Sequence, residues 1–86
     1  MSNEDRVTGK LVQSKDLPNG RLELIRHTSD GLDPGTEMHS LWYVGNRETI
    51  GLREDFEKFR LEEYQGYLYR IKSRQDFMKF FREFNA

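Results

Sequence analysis

The sequence predicts a small α+β domain: a mostly antiparallel sheet of four or five strands, packed against a C-terminal aromatic amphipathic helix. Three observations predict it. Phe77, Phe80, Phe81 and Phe84 recur at i, i+3, i+4 and i+7, which sets four rings on one stripe of a helix. Upstream, runs of alternating apolar and polar residues are joined in pairs by turn-forming residues, the pattern of successive hairpins. The chain has 86 residues, enough for one domain and no more. A domain this short buries only roughly 60% of the surface its unfolded chain exposes, so the ring stripe is needed as core.

Taken in order, Met1 to Arg6 is polar and expected to fray. Val7 to Lys15 carries sparse apolar residues with β-branched character, and Arg21 to Thr28 sets Leu22 and Leu24 opposite Glu23. Leu17-Pro18-Asn19-Gly20 lies between them. Pro18 pre-sets φ for a turn and Asn19-Gly20 tolerates its left-handed positions, so the two runs read as a hairpin. Ser29 to Glu37 holds Ser-Asp-Gly and Asp-Pro-Gly and reads as a loop. Met38 to Val44 and Arg47 to Leu52 read as a second hairpin, with Gly45-Asn46 as a two-residue loop.

Residues 53–65 support two readings. Phe56 and Phe59 at i, i+3, good helix formers around them and Gly66 as a terminating residue favour a second helix. Alternation of Phe59 with Leu61 and a Tyr64-Gln65-Gly66 turn fit a strand, and the acidic pair Glu62–Glu63 near a helix's negative end would be mildly unfavourable. Tyr67 to Lys72 alternates as a strand, with Tyr67, Tyr69 and Ile71 on one face. The last helix then spans 73–85, opened by Ser73 and Asp76 in the spacing of a capping box. Burying its four Phe rings contributes roughly 6–12 kcal/mol. Ordering the helix costs a similar amount, so it requires a sheet to lie on.

Composition excludes more than it assigns. Fourteen Lys and Arg against fifteen Asp and Glu leave a net charge of −1, which argues against a broad nucleic-acid or membrane surface and against an acidic mimic of DNA. The charge is uneven. Arg70, Lys72, Arg74, Lys79 and Arg82 face only Asp76 and Glu83 in residues 70–86, whereas residues 53–69 are net acidic. The simplest account is two solvated faces that attract one another. There is no cysteine, hence no disulfide scaffold or thiolate site. The polar N-terminus and the absence of a long apolar run predict a soluble, cytoplasmic protein without a membrane span.

No catalytic constellation stands out. His27 and His39, with Asp30, Asp33 and Glu37 between them, match no ligand spacing, and the acids are accounted for as turn formers. No metal or cofactor is therefore expected, and a small enzyme using His27 or His39 ranks third among the readings. Aromatic residues are the more informative feature. Trp42 and Tyr43 are adjacent on a strand and so point to opposite faces; with helices on one side, one ring should be partly exposed. Together with Tyr67, Tyr69, Arg70, Lys72 and Arg74 they make a candidate partner-binding surface, since Trp, Tyr and Arg are favoured anchors. The leading expectation is a non-enzymatic protein-binding module, a small regulator or inhibitor of a larger macromolecule, comparable in size to phage-encoded inhibitors and immunity proteins. The alternative is single-stranded nucleic-acid binding, with bases stacked on the sheet tyrosines beside Arg and Lys.

Overall fold

The computed structural model describes residues 9–27, 38–52 and 60–85. Strand β1 (Lys10–Leu17) pairs with β2 (Gly20–His27), β2 with β3 (Met38–Gly45), and β3 with β4 (Thr49–Gly51), giving an antiparallel sheet in the order β1-β2-β3-β4. Two helices follow, α1 (Leu61–Arg70) and α2 (Arg74–Asn85). The architecture is the α+β domain that the sequence predicts.

The first hairpin closes where its turn residues require. Leu17 pairs with Gly20 across Pro18 and Asn19. Between Leu11 and Gln13 the register slips by one residue, a bulge that leaves Val12 over and turns Leu11 and Gln13 to opposite faces. The second hairpin differs from expectation. Gly45 continues β3 opposite Gly20, so Asn46 cannot complete a two-residue loop; instead the Gly45 N–H donates to the Glu48 carbonyl at 2.8 Å and pairing resumes at Val44–Thr49. The longer turn leaves β4 only three residues.

One face of the sheet forms the core with the helices. Leu22, Leu24, Leu41 and Tyr43 pack with Leu52, Tyr64, Leu68, Ile71, Phe77, Phe80 and Phe84. Three of the four stripe phenylalanines are buried, and Phe81 is half-buried at the margin. The stripe is cross-linked by ring contacts: Phe77 to Tyr43 at 5.9 Å, and Phe80 to Tyr67 at 3.9 Å between centroids. Ser73 caps α2 by accepting from the Asp76 N–H at 3.2 Å. Asp76 returns the bond one residue earlier than a full capping box would, accepting from the Lys72 N–H at 3.1 Å.

The opposite face is also buried. Glu23, Ile25, Ser40 and Trp42 are all nearly inaccessible. Paired strands confirm that these share a side, since Glu23 lies opposite Trp42 and Ile25 opposite Ser40. The expectation that Trp42 or Tyr43 would be partly exposed is therefore overturned, because β2 and β3 are central strands covered on both faces. The residues Leu41-Trp42-Tyr43-Val44 carry the signal for this: a continuous apolar run is the mark of a strand buried on two sides, where simple alternation is not.

The stretch 61–70 is the second correction. Residues 53–59, with Phe56 and Phe59, lie outside the described residues. The helix begins at Leu61 and carries through Gly66 to Arg70, so Tyr67–Arg70 is helix, not strand. The period-2 pattern of Tyr67, Tyr69 and Ile71 coexists with a helical row, Leu61, Tyr64, Leu68 and Ile71 at i, i+3, i+7 and i+10. That row is the one the core takes up. Starting at 61 also reverses the charge argument. Glu62 and Glu63 occupy the first turn and Arg70 the last, each at the helix end that favours its sign. Glu63 accepts weakly from the Arg60 N–H at 3.4 Å.

Candidate functional site: the corner between the two helices

Because α1 offers Leu61, Tyr64 and Leu68 to the core, Tyr69 falls on its outward side. The residue is 69% exposed, the most exposed large hydrophobic residue among the described ones. The residue is nonetheless tied to β1. Its hydroxyl accepts from Gln13 Nε2 at 3.2 Å, and the Tyr69 and Ile71 carbonyls accept from Lys15 Nζ at 3.3 and 2.8 Å. Both donors reach it because the bulge in β1 brings Gln13 and Lys15 to the helix side, opposite Leu24 and Leu22. Lys15 thereby neutralises carbonyls at the C-terminal end of α1.

Three cations extend from this ring around the corner into α2. Arg70 is exposed and its guanidinium stands 5.5 Å from the centroid of Tyr67, a cation–π distance. Tyr67 itself is half-buried, clamped between Arg70 and Phe80. Lys72 is exposed in the connection, and Arg74 opens α2 with its Nε hydrogen-bonded to Glu48. That hydrogen bond from Arg74 lowers the Glu48 carboxyl from its ordinary value and raises Arg74.

Of the residues that the sequence nominated, Tyr69, Arg70, Lys72 and Arg74 are exposed, along the end of α1, the connection and the start of α2. Tyr67 belongs half to the core. Trp42 and Tyr43 do not belong to a surface at all. The Trp42 Nε1–H donates to Ser40 Oγ at 2.6 Å beneath the far face of the sheet, and the Tyr43 hydroxyl donates to the Asn19 carbonyl at 3.1 Å. Sequence reasoning missed Gln13 and Lys15, which position Tyr69. Nothing in their local pattern signals this, because the contact spans more than fifty residues of chain.

Two other places were candidates for chemistry. His27 and His39 lie on opposite sides of the sheet, since Ser40, adjacent to His39, meets His27 Nε2 at 2.6 Å. They cannot act on one substrate atom, and Asp30, Asp33 and Glu37 lie outside the described residues. Ser40, although within reach of an imidazole, is fully buried and already accepts from Trp42. Among the described residues no group of three metal-ligating side chains converges. An open hollow of about 250 Å³ lies at the turn end of the sheet between Asn19, Tyr43, Asn46, Arg47, Glu48 and Arg74. No helix among the described residues is long and apolar enough to cross a membrane.

No protein-family profile, no curated protein and no solved structure matches the chain.

Proposed function

We propose that the chain is a non-enzymatic protein-binding module, a small regulator or inhibitor of a larger macromolecule, and that it engages its partner through Tyr69, Arg70, Lys72 and Arg74. The observation that supports this is the state of Tyr69: a large side chain exposed to solvent, whose hydroxyl accepts from Gln13 and whose backbone carbonyl accepts from Lys15. An exposed aromatic that is already ordered loses little conformational freedom on binding, which is the property of an interface anchor. The adjoining arginines add the residue type that most often accompanies such anchors.

Affinity capture from cells of the source organism tests the reading, with Tyr69→Ala and Arg70→Glu as comparators. Both positions are exposed, so thermal midpoints should change by less than about 0.5–1 kcal/mol equivalent. The expected result is a specific co-purifying protein that both substitutions remove. A partner retained by both variants would place its contact elsewhere on the molecule.

A further inference from the structure

The outward face of α2 continues the corner. Its core row is Phe77, Phe80, Phe81 and Phe84, so Arg74, Met78 and Arg82, at i, i+4 and i+8, form a second row, with Gln75 and Lys79 beside it. These residues and Asp76 line a shallow hollow of about 490 Å³. Asp76 and Glu83, seven residues apart, lie beyond Lys79 from the Arg74–Met78–Arg82 row, and Asp76, which lines the hollow, accepts from the Lys72 N–H. Lys79 and Arg82 are exposed and pair with no described residue.

We infer that the partner presents an acidic amphipathic segment that lies along this face of α2, its carboxylates on Arg74, Lys79 and Arg82 and an apolar side chain on Met78. This rests on the protein-binding reading above and extends its surface. Charge complementarity supports it, and the fold already contains an instance of the pairing: Glu48 brings a carboxylate onto Arg74 from outside the helix. Arg74 to Arg82 spans eight residues, about 12 Å of helix axis, the reach of acids at i, i+4 and i+8 on a partner helix. Met78 is half-buried where it packs against the core and also lines the hollow, so the row is mixed apolar and basic. A polynucleotide would meet no aromatic ring on this face to stack against.

The test is fluorescence anisotropy of the full chain against a labelled synthetic peptide of about 18 residues, helical in design, with Glu at i, i+4 and i+8 and Leu in the adjoining row. A single-stranded oligonucleotide of equal charge is run alongside. Lys79→Glu/Arg82→Glu should weaken peptide binding about tenfold or more, and raising salt from about 20 to about 200 mM should weaken it in the unmodified chain. Circular dichroism checks that the variant folds; if it does not, Lys79→Gln/Arg82→Gln carries the same comparison. Absence of binding at low salt, affinity unaffected by the substitutions, or tighter binding of the oligonucleotide would each overturn the inference. The two readings fail separately. Cellular capture that depends on Tyr69 while the acidic peptide does not bind leaves the module and removes the acidic partner; peptide binding through Lys79 and Arg82 with capture indifferent to Tyr69 does the reverse.

Discussion

Trp42 and Gly51 face each other across β3 and β4, and the indole occupies the space a side chain at 51 would need. A Cβ built on Gly51 would fall 2.4 to 2.6 Å from three atoms of the indole ring. The ring is rigid and buried, and its Nε1–H is anchored on Ser40 Oγ, so it cannot give way without surrendering a hydrogen bond. Gly51→Ala is therefore expected to cost about 1–3 kcal/mol, the range for overpacking a filled core. Urea unfolding followed by the fluorescence of Trp42, the single tryptophan, reads both the stability and the environment of the ring. An unchanged midpoint and emission maximum would contradict the contact.

Ser40→Ala probes the same face from its polar side. The Ser40 oxygen, fully buried, accepts from Trp42 Nε1 at 2.6 Å and lies 2.6 Å from His27 Nε2. Removing it deprives a buried indole N–H of its acceptor, at a cost of about 1–3 kcal/mol. The same urea titration measures the loss, and a variant as stable as the parent would show that the bond has a replacement.

Gly66 should behave in the opposite sense to Gly51. It sits inside α1, and a Cβ there would meet nothing within 4 Å. Gly66→Ala restricts the unfolded chain without a clash in the folded one, and should stabilise by about 0.5–1 kcal/mol. A lowered thermal midpoint would argue that residues 61–70 are not a continuous helix.

The Glu48–Arg74 pair carries a pH dependence of known sign. The folded carboxyl is held below its ordinary value, chiefly by the hydrogen bond from Arg74. Its contribution is therefore present above the unfolded carboxyl's range and is lost as pH falls through the folded value. Both side chains are open to solvent over about two-fifths of their surface, so the effect should be small and should shrink with salt. Glu48→Gln should remove a shallow acid-side slope from the stability profile at low ionic strength and leave the alkaline side unchanged. Denaturation midpoints collected across the acid range at two salt concentrations check this; a slope identical in the variant would assign it to other carboxylates.

For the acidic-segment inference, reversing Lys79 and Arg82 should abolish the salt-sensitive binding of the peptide, whereas Glu83→Gln, one turn from Lys79, should leave it intact or slightly stronger.

The elements legible in the sequence were those whose signal is local. The turn at Pro18–Asn19 follows from the φ preferences of two residues. The Phe77–Phe84 stripe follows from spacing along one helix, and its need for a sheet follows from its size. All three could be read without knowing what lay across the core. The residues of the corner illustrate the limit. Tyr69, Arg70, Lys72 and Arg74 are recognisable as a surface because cations and an aromatic cluster there, but the pattern sets the first three on a strand, since Tyr67, Tyr69 and Ile71 alternate as well as Leu61, Tyr64, Leu68 and Ile71 repeat.

Which of two compatible periods prevails is decided by the surface that receives it. The helical row of α1 fills the space above Leu22, Leu24 and Leu41, and packing it there turns Tyr69 outward. Trp42 is a milder case: the apolar run Leu41–Val44 hints at a strand buried on two sides, and the covering of β2 and β3 on both faces removes the ring from solvent. Short-range stereochemistry wrote the turns, the ring stripe and the composition into the chain itself. Tertiary structure alone settled which aromatics remain outside, because burial is a property of the whole packed volume and not of any run of residues.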